Sequence, residues 1–374
     1  MHRHVITTLT ALLLAVFSLP AFADDQDIQI ETLPYPVRID IAAGHMKGAR
    51  CFESDFSRLP SAPFDTVLVQ GLIPDGLRLD MALKADGAAE PARYEPVLFR
   101  RFPNGRFWAK YTLPSAVRRQ LAFSVVNAGT REAGTITIYG TELLKAALSR
   151  EGAEQAQAFV YTPDPALSVP AAVPFKLVRR ADWNAAPPKE PFTPHKPGFF
   201  TLHHTQWHYP ATYDDAVTEM RLIQDFHQNG RGWIDIGYHF LIDPAGNIFE
   251  GRPIGVVGAH TKNKNTGNVG ISIMGSYHPP VHDVFTPATE KSFAAVGSYI
   301  KDTYTVNVSS FYAHRDLQKD TDCPGDDLYA KKGELRDLIF APKPAPELPA
   351  DIPLLPAQRR ALSLLLSSIE ASPQ

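Results

Sequence analysis

Three short stretches of the sequence hold residues that could bind a metal ion. They are TLHHT (201–205), YH (238–239) with a later GAH (258–260), and AHRDLQKDTDCPGDDLY (313–329). A zinc ion that catalyses hydrolysis takes three protein ligands and keeps a fourth position for water. His203, His314 and Cys323 supply that number, and ligands this far apart in sequence are typical of catalytic zinc sites. The sequence therefore predicts a catalytic zinc centre on these three residues.

Other uses of the same residues are weaker. His204 and His208 have the i, i+4 spacing of a helical zinc motif, but no glutamate lies between them and a Tyr-Pro dipeptide follows. Cys323 as a nucleophile with His314 as base is an alternative, although no nucleophile elbow is present. A disulfide from Cys323 to Cys51 would join two predicted domains and remove the thiolate from the zinc centre. We expect Cys51 to be an unpaired, buried thiol.

Seven blocks of sequence resemble one known family. In chain order they are RRADW (179–183), TLHHT (201–205), GRGWIDIGYHFLID (230–243), GNIFEGR (246–252), GAHTKNKNTGNVGISIMG (258–275), AHRD (313–316) and TDCPGDDLY (321–329). They resemble the zinc-dependent N-acetylmuramoyl-L-alanine amidases of the peptidoglycan recognition protein type, which include phage lysozyme-like amidases. The resemblance covers about residues 175–340, under half of the chain.

The resemblance implies an activity and a set of site residues. The family hydrolyses the amide bond between N-acetylmuramic acid and the L-alanine of the peptidoglycan stem peptide, so peptidoglycan or muropeptides are the implied partners. Its zinc ligands fall on His203, His314 and Cys323, its catalytic tyrosine on Tyr238, and its second catalytic helper on Thr321. The interval from His314 to Cys323 is one residue longer than in the family, which predicts a bulge. Members that only bind peptidoglycan typically lack the cysteine, so catalysis is favoured over the alternative, a non-catalytic recognition module.

Three further residues are predicted to contact the substrate. His260, Arg252 and Lys262 lie in the resembling blocks, and stem peptides carry carboxylates with which cations can pair. Alternatives remain for two of them, since Arg252 could brace a hairpin and Lys262 could be solvated.

The elements that must position these residues follow from the hydrophobic pattern. Strands are predicted at 199–204 and 269–275, a hairpin at 238–251, and amphipathic helices at 213–228 and 288–304. A segment that mixes strands and helices in this way forms a sheet flanked by helices. The pattern predicts an α/β domain with a mixed central sheet over residues 176–341.

The part of the chain before this domain has a different pattern. Apolar residues alternate with polar ones in six short segments between about residues 60 and 145, and Pro103-Asn104-Gly105 suits a hairpin turn. These features predict an all-β, sandwich-like domain of unknown role over residues 24–160. Phe107, Trp108 and Tyr111 could form a sugar-binding platform, although alternating aromatic residues more often lie in a core.

Composition and the chain ends complete the prediction. Residues 1–23 combine a basic start, an apolar run and an Ala-Phe-Ala end, which predicts a signal peptide and a periplasmic or secreted protein. The formal net charge of −3 over 374 residues gives no reason to expect nucleic-acid binding. Proline-rich stretches predict a linker at 161–175 and a tail at 342–374, whose short helix (357–371) we expect to dock on a domain rather than on a membrane.

Overall fold

The computed structural model describes residues 28–30, 36–44, 46–85, 90–129, 134–145 and 160–341, together with positions 360, 361, 363 and 364. The predicted signal peptide and most of the predicted C-terminal helix lie outside these residues. Within them, no helix has the length and apolar character needed to cross a membrane.

The first domain consists of β-strands. They are β1 (Ile28–Ile30), β2 (Val37–Ile41), β3 (Arg50–Glu53), β4 (Phe64–Leu72), β5 (Leu77–Leu83), β6 (Ala92–Tyr94), β7 (Leu98–Arg101), β8 (Arg106–Val117), β9 (Leu121–Asn127) and β10 (Gly134–Leu144). One antiparallel sheet has the order β1-β10-β4-β8-β7, with β2 also paired to β10, and a second has the order β3-β9-β5-β6. Apolar residues of both sheets form one buried cluster. The predicted β-rich domain is confirmed, and its classification as a sandwich stays a prediction.

Strand β8 shows how this domain is built. It follows the hairpin turn at Pro103-Asn104-Gly105, where Gly105 takes a φ of 77° that an L side chain would strain. Successive residues of a strand point to opposite faces. Phe107 and Tyr111 therefore enter the core between the sheets, whereas Trp108 points to the other face, towards the second domain. All three aromatic side chains are fully buried, so they do not form an exposed sugar platform.

The second domain alternates strands and helices. Its strands are β11 (Leu177–Val178), β12 (Phe199–His204), β13 (Phe240–Ile242), β14 (Ile248–Glu250), β15 (Asn268–Ile273) and β16 (Phe311–Ala313); its α-helices are α1 (Tyr213–Asp225), α2 (Pro287–Tyr304), α3 (His314–Leu317) and α4 (Asp326–Phe340). The sheet order is β11-β14-β13-β15-β12-β16, in which only the β13–β14 pair is antiparallel among the described strands. One buried cluster joins α2 and α4 to one face of the sheet, and another joins α1 to the opposite face. The predicted mixed sheet with flanking helices is confirmed.

The starts of helices α1 and α2 follow from local sequence. Thr212 caps α1 by accepting a hydrogen bond from the Asp215 backbone N–H, and Thr286 does the same for α2 from the Thr289 N–H. Helix α1 continues into a π-helical turn, Phe226–Gly230. This turn leads into the loop that carries Tyr238.

The predicted linker at 161–175 packs against the second domain. Val169 is 4% exposed within that domain's core, and the Leu167 carbonyl accepts a hydrogen bond from the Gly255 N–H at 2.8 Å. Arg179 also donates to the Val169 carbonyl. Because its apolar side chains and backbone are engaged, the described part of this segment belongs structurally to the second domain.

Helix α1 is buried on two faces. Ala216, Met220 and Ile223 pack on the sheet of the second domain, as the 3.6-residue periodicity predicts. Glu219 and Leu222 lie on the neighbouring face and are covered by the first domain. The helix is therefore one of the elements through which the two domains meet.

Candidate active site

The candidate metal residues converge at one edge of the second domain's sheet. Strands β12 and β16 are parallel neighbours, so their carboxyl ends lie together. His203 is near the end of β12, His314 directly follows β16, and Cys323 lies in the loop before α4. Adjacent residues on β12 point to opposite faces. This alternation separates His203 from His204, whose Nδ1 instead accepts a hydrogen bond from the Tyr277 N–H at 3.3 Å.

The three side chains form a compact group. One ligand atom from each of His203, His314 and Cys323 lies within 4.8 Å of the others. The His203 Nδ1 is 3.5 Å from the Cys323 Sγ, and the rings of His203 and His314 are 4.5 Å apart between centroids. Tetrahedral zinc with bonds of about 2.0–2.3 Å places a nitrogen and a sulfur ligand about 3.6 Å apart. The spacing and donor types fit such an ion.

Hydrogen bonds orient both histidines towards the centre of the group. The His203 Nε2 lies 3.0 Å from the His260 Nδ1, and the His314 Nε2 lies 3.0 Å from the Gln318 Oε1. Because the amide oxygen only accepts, His314 carries its proton on Nε2. Its Nδ1 is buried and has no hydrogen-bond partner among the described residues. Each histidine thus has one nitrogen held by a neighbour and Nδ1 available to a metal, as ligating histidines usually do.

Burial sets the protonation states of this group. Burial lowers the pKa of His203 well below its ordinary value, and the charges of His314 and His260 add to the effect. Burial also raises the pKa of the Cys323 thiol to about 12. Since a thiolate is costly there, a bound cation would be needed to stabilise it. Cys323 forms no disulfide, and neither does Cys51, which is half-buried rather than buried as expected.

Tyr238 lies beside the metal-capable group. It comes two residues before β13, and its ring centroid is 5.3 Å from that of His203. Burial, reinforced by the nearby Cys323, raises its pKa far above the ordinary value. The phenol therefore stays protonated and can donate a hydrogen bond.

Thr321 lies in the loop before Cys323. Its Oγ1 accepts a hydrogen bond from the Cys323 backbone N–H at 3.2 Å. The interval from His314 to Cys323 contains α3, a turn at residues 319–320 and then Thr321. Thr321 thus holds the backbone of the predicted ligand, and its catalytic role stays a prediction.

The three predicted substrate residues have different surroundings. His260 is 8% exposed and bonded to His203, and burial lowers its pKa to about 3. Arg252 is 1% exposed and donates to three backbone carbonyl groups, which supports the bracing alternative. Lys262 is half-buried, and its backbone N–H donates to the Gln318 side chain. Contact of these residues with a substrate stays a prediction.

Gln318 is a site residue that the sequence did not predict. Its amide oxygen accepts from both His314 and the Lys262 N–H, so it connects the ligand to the opposite loop. It lies four residues after His314, the spacing of one helical turn, which is the signal that could have indicated it.

Comparisons with known proteins match the second domain to one family. A family model described as N-acetylmuramoyl-L-alanine amidase matches residues 193–326. Peptidoglycan-recognition protein SC2 of Drosophila simulans is 33% identical over 135 residues, which are 35% of this chain and 70% of that protein. The N-acetylmuramoyl-L-alanine amidase of Homo sapiens is 34% identical over 158 residues, 40% of this chain and 26% of that protein.

One solved structure is also similar to part of this chain. Peptidoglycan recognition protein-LE, in complex with tracheal cytotoxin, a monomeric diaminopimelic acid-type peptidoglycan, shares 26% identity with a TM-score of 0.39 over 41% of this chain and 92% of that chain.

The class that the fold and site define is a mixed-sheet domain with a buried His-His-Cys group. The chain belongs to the family of peptidoglycan recognition proteins and type 2 N-acetylmuramoyl-L-alanine amidases, and the resemblance read from the sequence is confirmed. The family model matches residues of the second domain alone.

Proposed function

We propose that this protein is a zinc-dependent N-acetylmuramoyl-L-alanine amidase that cleaves the bond between N-acetylmuramic acid and L-alanine in peptidoglycan. The observation that carries the proposal is the group formed by His203, His314 and Cys323. Both histidines leave Nδ1 available, and Cys323 supplies a third, sulfur donor. Three such ligands and an open fourth position are the donor set of catalytic zinc.

The donor set also bears on the non-catalytic alternative. A recognition module needs a cleft for peptidoglycan but no buried cysteine beside two oriented histidines. The described residues of the group are all N or S donors, with no carboxylate among them. This composition favours zinc over the hard cations, which prefer oxygen ligands.

The chain's own residues have separate tasks in the proposed reaction. When bound, zinc would supply an acidified water and polarise the scissile carbonyl. His260 and Gln318 hold the two histidine rings, so the ligand geometry is set before the metal arrives. Tyr238 keeps its proton and would donate a hydrogen bond to the carbonyl oxygen as negative charge develops there.

Thr321 would assist from the loop before Cys323. Its hydroxyl oxygen accepts from the Cys323 backbone, so its own proton remains available for a substrate or a water molecule. We further propose that the predicted signal peptide directs the protein to the periplasm or outside the cell, where peptidoglycan is found.

The two cysteines provide a matched test. Cys323→Ser removes the sulfur donor with minimal change of shape, whereas Cys51→Ser makes the same change in the first domain. We expect Cys323→Ser to lose bound zinc, measured by elemental mass spectrometry, and to release stem peptides from purified sacculi at background rate. Cys51→Ser should keep both zinc and release.

Two results would overturn the proposal. Wild-type protein loaded with zinc that releases no stem peptide yet binds sacculi would identify a recognition module. Full hydrolysis by Cys323→Ser would exclude the proposed ligand set. Circular dichroism of both variants distinguishes loss of the metal from loss of the fold.

A further inference from the structure

The first domain reaches past helix α1 to the loop that carries Tyr238. Glu142, on strand β10, accepts two hydrogen bonds from the Arg231 guanidinium, from Nε at 2.9 Å and from Nη2 at 2.5 Å. The two side chains are only 9% and 14% exposed. A bidentate, charge-assisted pair of this kind fixes the position and orientation of the guanidinium.

Several other hydrogen bonds between the domains end on the helix or on its π-helical turn. Asn104 donates to Asp215 at the start of α1, and Trp108 donates to Asp225 at its end. Lys110 donates to the Gly230 carbonyl in the turn. These contacts attach the domains to each other. The Glu142–Arg231 pair instead fixes a residue of the loop itself.

Arg231 transmits this restraint to the neighbours of Tyr238. Its guanidinium lies 4.6 Å from the ring centre of Trp233. The ring of Trp233 is in turn 4.6 Å from that of His227, between centroids. His227 accepts a hydrogen bond on Nδ1 from the Gly237 N–H, the amide next to Tyr238.

Gly237 is held tightly on its other side. A Cβ at this position would lie 2.3 Å from the Ala259 carbonyl oxygen and 3.1 Å from the Trp233 ring. The backbone at Gly237 therefore lies close to Ala259 and Trp233, with no room for a side chain between them. A shift of Trp233 or His227 would remove one of the contacts that hold the Gly237 backbone. The adjacent Tyr238 could then move as well.

We propose that Glu142 of the first domain is a positioning residue for Tyr238, acting through Arg231, Trp233 and His227. The first domain would then help to set the geometry of the active site. The inference deepens the proposed amidase function and rests on it for its kinetic readout.

We expect loss of the Glu142 carboxylate to impair the alignment of Tyr238 more than the binding of substrate. Glu142→Gln keeps the shape of the side chain but removes its charge, and it leaves the half-buried Arg231 without a carboxylate. Misplacement of a catalytic group by about 1 Å can cost on the order of 100-fold in rate. We expect kcat on a soluble muropeptide to fall about tenfold or more, with KM and zinc content nearly unchanged.

The experiment uses the full chain and two control variants. Asn104→Ala breaks a different contact between the domains, and Glu53→Gln removes a carboxylate that pairs with Arg93 on the surface of the first domain. Both controls should keep wild-type kcat. Hydrogen–deuterium exchange provides a readout that needs no catalysis, and Glu142→Gln should accelerate exchange of the amides of residues 233–237 while both controls leave it unchanged.

The outcomes separate the inference from the proposed function. If wild-type protein hydrolyses no muropeptide, the proposed function fails, and the exchange measurement alone decides whether Glu142 positions the loop. If wild-type protein is active and Glu142→Gln matches it in both kcat and exchange, the inference is overturned. An equal loss in Asn104→Ala would also overturn it, since any weakening of the interface would then suffice. Arg231→Gln breaks the same pair from the other side and replaces Glu142→Gln if that variant does not fold.

Discussion

Two polar clusters in this protein differ in whether their charged or metal-capable groups are all bonded to a partner. At the domain interface, Arg106 and Glu219 are both fully buried and form two hydrogen bonds of 2.8 and 2.9 Å with each other. The Arg106 Nη1 donates to the Gly71 carbonyl, and Nη2 also donates to the Gln70 side-chain oxygen. In the His203, His314 and Cys323 group, by contrast, the His314 Nδ1 has no partner among the described residues.

This difference distinguishes a cluster that joins the two domains from a cluster that could bind a ligand. A buried ion pair whose groups are all bonded has nothing left to offer a ligand, so its role is to join two surfaces. A buried nitrogen without a partner is costly unless something outside the protein binds it. An unpaired buried atom alone does not mark a site, because the Gln70 Nε2 beside Arg106 also lacks a partner among the described residues. The candidate site is indicated by the unpaired His314 Nδ1 together with the His203 and Cys323 donors around it.

Breaking the paired cluster should have the largest effect. Arg106→Ala leaves Glu219 buried without a partner, and we expect the free energy of unfolding to fall by about 3–5 kcal/mol. Urea denaturation followed by fluorescence measures it. Arg93→Ala, which breaks a pair that is about one-third exposed, should cost under about 1 kcal/mol. Equal losses in the two variants would contradict the assignment of Arg106 and Glu219 as the main polar attachment.

Removing the hydroxyl of Tyr238 tests the unpaired cluster without touching its ligands. Loss of one donor to a developing oxyanion costs about 100- to 1,000-fold in kcat, or about 3–4 kcal/mol. We expect that loss for Tyr238→Phe, with zinc content unchanged. Tyr329→Phe, whose hydroxyl bonds to Asp316 on the surface, is the control. A Tyr238→Phe variant with wild-type kcat would remove this residue from the reaction.

Gln318 gives a smaller and more specific effect. Gln318→Leu removes the acceptor that orients the His314 ring, and loss of such a partner lowers metal affinity by about 10- to 100-fold. Competition with a chromophoric chelator measures the zinc affinity. Gln120→Leu makes the same change on the surface of the first domain and should leave the affinity at the wild-type value. Unchanged affinity in Gln318→Leu would show that His314 is oriented by packing alone.

Acidification should have the smallest of these effects, a gradual fall in the free energy of unfolding as the pH is lowered. Burial, with the charges of Arg231 and Arg252, lowers the pKa of His227 well below 6.5, so the unfolded chain binds a proton that the folded chain does not. Its contribution to stability is fully present above pH 6.5 and is lost as the pH falls below it, by up to about 1.4 kcal/mol per pH unit. Urea denaturation between pH 7.5 and 5.0 should show a shallower slope for His227→Gln than for wild type. Identical slopes would contradict a buried, neutral His227.

The sequence predicted those parts of the molecule that follow from local patterns. Strands such as β5 and β15 were predicted from alternation or from an apolar run, and helix α2 from its spacing of Phe293, Val296 and Ile300. The three metal-capable residues were predicted because their types are rare and chemically specific, and the structure brings them together.

Features that depend on tertiary contacts were not predicted. Glu219 is charged and was not expected in a core, because a charged helical residue normally faces water. Its burial depends on Arg106, 113 positions earlier in the chain. Cys51 was expected to be buried, but it lies on β3 at one edge of a sheet and is half-buried.

The residues on the surface of helix α1 reflect the presence of the first domain beside it. Without the first domain, polar residues would be expected where this chain has Leu222 on α1 and Phe226 directly after it, both nearly inaccessible to solvent. Exchange of either domain during evolution would therefore require compensating changes on this helix and at contacts beyond it, such as Arg231. In a related sequence of unknown architecture, the same stripe of Glu, Leu and Phe would indicate an accompanying β domain before any of that domain had been recognised.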